Sequence, residues 1–328
     1  MDSICSLKTI SKYRAELMGV AIIGVLIGHI IAFNDLCYPL LDSIAHGIHV
    51  PGFLFLSGFG LFYSLTKNSN IKDFYLRRFW RFYFPFLLIS LPFLLRTILT
   101  GNFDIWRFFT KITTIEFWLY GNDGTWYIAV SLALYLLTPL LFVWISHNKD
   151  YCVWKLLLVI AIAIGVNYTI PFLSTAYWDM VEIGLKQVPC FFLGMLAAHC
   201  SLKDMGGATL KILCLAICVL YTLLSVGGIE IPYIISMLKL SFYLIVFCCL
   251  FSLVVFFKIK AVGPVFRWFG KYTLELYLLH IFLNALFSSP LFRLHDSHVI
   301  ILAVIVSLMF CMPVHSCINK LSNILQRN

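Results

Sequence analysis

The chain has 328 residues, of which 61% are hydrophobic and 12% charged, with a formal net charge of +9. A soluble domain carries roughly 45–50% apolar and about 25% charged residues, so polar side chains are too few to cover a water-exposed surface. Lipid is the expected solvent. The basic residues stand in short segments between apolar blocks rather than in one patch, which excludes a nucleic-acid footprint and fits the positive-inside rule.

In hydrocarbon the backbone must satisfy its own hydrogen bonds, so spans are helices or a closed barrel. Barrel strands are segments of about ten residues that alternate in polarity. The apolar blocks here are solid and about 17–25 residues long, the length a helix needs to cross the hydrocarbon. The expected fold is therefore all-α, a polytopic transmembrane helix bundle of about ten spans. In chain order these are 17–33, 49–66, 83–99, 125–145, 153–170, 183–200, 209–226, 233–257, 273–289 and 298–318. Lys8, Lys12 and Arg14 precede the first block, but no small-residue cleavage site follows it, so it is a retained helix rather than a signal peptide.

An even number of spans puts both termini on one side. The segments on that side hold 18 of the 24 lysines and arginines, and the opposite loops hold five: Arg96, Arg107, Lys111, Lys186 and Arg293. Both termini are expected in the cytoplasm. The longest outer loop, 100–124, is rich in aromatic residues. Of the eleven cysteines most lie within apolar blocks, as at Cys214, Cys218, Cys248 and Cys249. There they act as small hydrophobes, and their spacing suggests neither a disulfide framework nor a metal site. No internal repeat of the kind common in secondary transporters is visible.

Polar side chains inside spans are the natural places to look for chemistry. The first span contains His29, about 18 Å along the helix from Leu17 at 1.5 Å per residue, which places it past the midplane. Gly19, Gly24 and Gly28 precede it and allow a helix or a thin ligand close. Two readings stay open for His29: a hydrogen bond between helices, or a general base near neutral pH. The second span opens with His49, Pro51 and the run Phe55-Leu56-Ser57-Gly58-Phe59-Gly60. Before the third comes Phe74-Tyr75-Leu76-Arg77-Arg78-Phe79-Trp80-Arg81, ending at Pro85. Arg78 and Arg81 are one helical turn apart. With Arg77 they form either ordinary positive-inside charge in an aromatic belt, or a grip on an anionic cytosolic molecule. Asp123, Trp126 and Tyr127 lead into the fourth span, and Glu275 and His280 lie in the ninth. For these last two, interhelical bonds are the default expectation.

Taken in order, these features resemble the integral-membrane acyltransferase-three family, which includes bacterial O-acetyltransferases of surface polysaccharides and fucose 4-O-acetylase-like proteins. The carriers are the early intramembrane His29, Pro51 before Phe55-Leu56-Ser57-Gly58-Phe59, and the arginine run ending at Pro85. Trp126-Tyr127 and Glu275-Leu276-Tyr277-Leu278-Leu279-His280 complete the series. One departure stands out. The family places an arginine ten intervening residues before its histidine; that position is Met18 here, with Arg14 one helical turn earlier.

The resemblance implies a single membrane-embedded acyltransferase domain over 1–328, in the plasma (inner) membrane. It implies transfer of an acyl group, most often acetyl from acetyl-CoA, to a carbohydrate or polysaccharide hydroxyl. Acetyl-CoA is then a cosubstrate, with no permanently bound cofactor and no metal. His29 and Arg14 take catalytic positions, Arg77, Arg78 and Arg81 hold the CoA phosphates, and His49, Ser57, Asp123, Trp126, Glu275 and His280 are candidates for the substrate pocket. A transporter or flippase, with His29 on a proton or substrate path, is the alternative from another class. A scaffold or sensor is the third reading.

Overall fold

In the computed structural model, residues 7–33, 39–99, 104–121, 124–203, 262–288 and 296–327 are described. Among them there are helices and no strands. A short α1 (Lys8–Lys12) leads into α2 (Arg14–Phe33), which is followed by α3 (Pro39–Lys67). Next, α4 (Ile71–Arg78) runs through a π-helical turn, Phe79–Tyr83, into α5 (Phe84–Leu99) with helical backbone at both junctions. Two small helices follow, α6 (Ile105–Ile112) and α7 (Ile115–Tyr120), and then α8 (Trp126–Ser146) and α9 (Cys152–Leu173). After them come α10 (Thr175–Leu185), α11 (Val188–Leu202), α12 (Val262–Lys271), α13 (Thr273–Phe287) and α14 (Asp296–Arg327).

Six helical stretches among the described residues are long and apolar enough to cross a membrane: 14–31, 71–95, 126–146, 152–173, 175–202 and 298–326. α13 is a shorter apolar helix, and α3 contains the expected span 49–66. The expected spans 209–226 and 233–257 lie outside the described residues.

Helix ends depart from the apolar blocks in informative ways. α3 begins ten residues before its apolar block and α14 continues nine residues past its own, because polar residues end hydrophobicity without ending helical hydrogen bonding. Within the expected outer loop, Ile105–Ile112 and Ile115–Tyr120 are themselves helical. Asp104 caps α6 by accepting from the Trp106 amide at 2.9 Å, as an aspartate at a helix start is suited to do. The tight α6–α7 turn is made by Thr114 at a φ of 62°, an uncommon left-handed position for a branched residue.

Packing inside lipid gains little from the hydrophobic effect between helices and depends on close contact and interhelical hydrogen bonds. α3 is the hub, packed on α2 at one side and α11 at the other, and its Phe53, Phe55 and Phe59 are fully buried. Two glycine pairs set the closest crossings. A Cβ on Gly58 would stand 2.0 Å from the Phe191 carbonyl oxygen, and one on Gly194 2.0 Å from that of Phe55. A Cβ on Gly19 would come within 1.8 Å of the Phe266 carbonyl oxygen, and one on Gly270 within 1.8 Å of that of Ala15. Only hydrogen fits at either crossing.

Polar bonds pin the helices further. Arg267 on α12 donates to Glu16 at 2.6 and 3.0 Å, Tyr63 and Ser201 share a hydrogen bond of 2.8 Å, and Asn167 donates to the Leu185 carbonyl at 3.2 Å. Facing outward, Leu140, Ile162, Phe172 and Met309 are exposed large apolar residues on α8, α9 and α14, as a lipid-facing surface requires.

Gly58→Ala and Gly194→Ala are expected to lower the thermal stability of the detergent-solubilised protein by about 1–3 kcal/mol each, the cost of overpacking. Gly165→Ala, where nothing lies within 4 Å of the new methyl, should leave it unchanged or slightly raised.

Candidate active site

The site is built where α2, α3, α4 with its π turn, α8 and α13 converge. Arg14 opens α2 and lays its guanidinium across α3. Its Nε donates to the Leu56 carbonyl at 3.1 Å, and its planar head lies against Gly60, where a Cβ would come within 2.6 Å of Cζ. Gly60 therefore makes room for an arginine rather than for a helix. Arg14 and Met18, successive turns of α2, line the same cavity of about 190 Å³.

That cavity has an unusual charge composition. Arg14, Arg78, Arg81 and Lys271 line it together with Ser57, Tyr127, Tyr135 and Tyr277, and among the described residues no carboxylate does. Four cations around so small a volume repel one another; Arg14 and Arg78 are partly buried, while Arg81 and Lys271 keep contact with solvent. The Nε of Arg78 and an Nη of Arg77 are buried without a hydrogen-bond partner among the described residues. Such unspent guanidinium donors are suited to the oxygens of a phosphate.

Beside it lies a larger cavity of about 840 Å³, which shares Arg81, Lys271 and Leu274 with the first and adds Arg77 and Trp80. Its far wall is a polar stripe on α14: His315, Asn319, Ser322, Asn323 and Gln326. Arg81 stands one turn from both Arg77 and Arg78, so Arg77 and Arg81 face the large cavity while Arg78 and Arg81 face the small one. The π turn Phe79–Tyr83 holds Arg81. π turns occur frequently at functional sites.

From the small cavity a line of rings leads along α13. Tyr277 lines the cavity, its ring centroid is 5.1 Å from that of Tyr127, and its hydroxyl donates to the Gly124 carbonyl at 3.2 Å. One turn on, the His280 ring is 5.7 Å from Tyr277 and meets the His29 ring edge-on at 5.1 Å. His280 is 1% exposed, and its Nδ1 lies 2.9 Å from the Leu276 carbonyl. Beyond His280, Ile281, Phe282 and Ala285 border a third cavity of about 430 Å³ toward the other end of the bundle. Phe86, Phe93 and Phe108 line its apolar side and Asp104, Arg107 and Lys111 its polar side. Arg107 and Lys111 both approach Glu116, at 3.3 and 3.8 Å.

Of the residues singled out in the sequence, the fold thus joins Arg14, Ser57, Arg78 and Arg81 in one chamber, with His29 and His280 one ring beyond it. Arg77 and Glu275 face the large cavity. Glu275 is buried and accepts from His315 Nδ1 at 2.6 Å, an interhelical bond from α13 to α14. Trp126 packs against the core and lines none of these three cavities; its neighbour Tyr127 occupies the site instead. The helix backbone includes His49, but its side chain and all of Asp123 lie outside the described residues. Sequence reasoning missed Tyr127, Tyr135, Lys271 and Tyr277 as site residues, and Arg107 and Lys111 as cavity residues. A tyrosine beside an aromatic belt carries no signal of its own, although Tyr277 stands one turn before His280 and shares its helix face. Among the described residues no group of three or more metal-ligating side chains occurs.

A family model described as an acyltransferase domain matches residues 17–316. The chain belongs to the acyltransferase-three family. The match takes in part of every cavity-lining helix, though Arg14 and the end of the α14 stripe from Asn319 on lie outside it, and acyl transfer is the chemistry to which these chambers must be fitted. No curated protein and no solved structure matches the chain significantly.

Gly60→Ala tests the seat of Arg14. The methyl meets only the end of a flexible side chain, so the protein should fold and insert normally. Displacement of the guanidinium should lower acyl transfer in isolated membranes at sub-saturating donor by about tenfold or more, since losing one charge-assisted contact costs about 1.5–3 kcal/mol.

Proposed function

We propose that this protein transfers an acetyl group from acetyl-CoA to a hydroxyl of a carbohydrate, a surface polysaccharide or its precursor, with His29 as general base. The observation that carries the reading is the carboxylate-free chamber of Arg14, Arg78, Arg81 and Lys271, one tyrosine away from the paired histidines. A diphosphate is the ligand that such unspent donors suit. The large polar cavity beside it has room for the nucleotide end of CoA, with Arg77 and Lys271 on one wall and the α14 stripe on the other.

In this reading the basic end of the bundle and both termini face the cytoplasm, and the membrane is the plasma (inner) membrane. The donor arrives from inside, its phosphates held by Arg78, Arg81 and Lys271 and its pantetheine arm directed past Ser57 and Tyr277 toward His29. The acceptor arrives from the opposite side, through the cavity whose Phe86, Phe93 and Phe108 suit the apolar face of a sugar ring and whose Asp104 and Arg107 suit its hydroxyls. A hydroxyl is far less acidic than an imidazolium, so proton removal accompanies attack on the thioester carbonyl instead of preceding it. The C–O bond forms, the C–S bond breaks, and the proton received by His29 passes to the departing sulfur.

Transfer of label from acetyl-[14C]CoA in membranes tests the reading. His29→Ala should lower the rate by about 10²–10⁴-fold, the usual contribution of a general base, while the amount of inserted protein is unchanged. Substantial transfer by that variant would overturn the assignment. Label-independent movement of a carbohydrate across the bilayer would favour a transporter.

Donor binding gives a separate check. Losing one charge-assisted phosphate contact costs about 1.5–3 kcal/mol. Arg78→Ala and Arg81→Ala are therefore each expected to raise the KM for acetyl-CoA by about 10–100-fold, with Arg81→Lys recovering part of the loss.

A further inference from the structure

α13 borders both the cation chamber and the cavity at the far end. Thr273, Leu274 and Tyr277 line the first, and Ile281, Phe282 and Ala285 the second. His280 stands between these two sets, almost wholly buried. Its surroundings define its protonation. A carbonyl oxygen only accepts, so the 2.9 Å contact with Leu276 puts the hydrogen on Nδ1 and leaves a lone pair on Nε2. Nε2 is buried and has no hydrogen-bond partner among the described residues.

A buried polar atom without a partner is costly and calls for an explanation. The His29 ring supplies one, at a centroid distance of 5.1 Å. An in-line N–H···N bond between two imidazoles puts their centroids about 5 Å apart, one hydrogen-bond length plus the two ring radii. The rings already have the required spacing, and a turn of the His29 ring from the present edge-on arrangement would align them with the His280 bond to Leu276 kept.

We propose that His280 is the positioning partner of His29, its Nε2 accepting a hydrogen bond from the imidazolium that forms when His29 takes the acceptor's proton. The inference rests on His29 being the base. In the reaction the hydroxyl O–H bond breaks as the new C–O bond forms, and the proton goes to one nitrogen of His29. The other His29 nitrogen, now also a donor, bonds to His280. As the C–S bond breaks, the proton leaves His29 for sulfur and the bond to His280 lapses. His280 stays neutral throughout.

The role parallels that of the buried carboxylate that orients the histidine of a hydrolase triad, with a neutral acceptor in its place. The carboxylate on α13, Glu275, is committed to His315. Among the described residues, Tyr277 stands against His280 and Tyr127 against Tyr277, with Arg14, Arg78, Arg81 and Lys271 lining the chamber beyond; Asn284 lies one turn past His280 on α13.

Two variants separate this role from simple packing. His280→Phe keeps an aromatic ring against His29 but removes the lone pair; His280→Gln keeps a hydrogen-bond acceptor. With inserted protein quantified for each, His280→Phe is expected to lower kcat for labelled acetyl transfer about 100-fold with KM values changed less than threefold. His280→Gln should recover at least tenfold of that loss. Transfer by His280→Phe within twofold of the unaltered protein would overturn the proposal, as would equal loss in both variants. If His280→Phe does not insert, His280→Leu takes its place: transfer by His280→Leu within twofold of the unaltered protein, or a loss in His280→Gln equal to that in His280→Leu, would overturn it. His29→Ala keeps the outcomes apart: if that variant is active the reading of His29 fails, and if it is inactive while His280→Phe is active only the partnership fails.

Discussion

The architecture depends on two places where helix backbones touch. At Gly58 and Gly194, α3 and α11 approach until a carbonyl oxygen occupies the space of a methyl group, and Gly19 and Gly270 do the same for α2 and α12. In lipid, contact of this kind replaces the gain that water would give to apolar burial. The second crossing draws the start of α13 against α2, so that Lys271 joins the chamber of Arg14 and His280 reaches His29. The first crossing holds α3, whose Gly60 and Leu56 seat Arg14. Glycines far from any reacting atom thus determine which polar groups meet.

The site gathers charge in a manner that no single helix shows. Arg14, Arg78, Arg81 and Lys271 come from three separate stretches of chain, and each alone is an ordinary basic residue near a membrane interface. Together they leave a positive space with unspent donors. Glu16 and Glu275, which would neutralise it, are turned away toward Arg267 and His315. Two acids are spent on joining helices, and the chamber stays positive for an anion.

The helices were legible because lipid demands long apolar runs, and His29 because an imidazole is costly there. The family resemblance rested on the order of short motifs, and the acyltransferase match covers the same stretch. What composition could not show was direction around a helix. Trp126 and Tyr127 are adjacent and similar, yet only the tyrosine faces the site. The π turn was equally hidden, since the run Phe79–Tyr83 contains neither proline nor glycine. The pairing of His29 with His280 joins residues 251 positions apart, a distance that no periodicity spans. Asp104 as a helix cap was a readable signal, and it marked α6 inside what hydropathy alone treats as loop.

The continuity of α2 has a further consequence for the choice of donor. Arg14 and His29 lie fifteen residues apart on one unbroken helix, which fixes their backbones about 22 Å from each other at 1.5 Å per residue. Under the proposed reading, that rod is a ruler between a charge anchor and a reactive imidazole. Acetyl phosphate, with its anion one bond from its acyl group, would be too short to touch both marks. The donor that reading calls for carries its charge and its thioester at opposite ends of a long, thin arm.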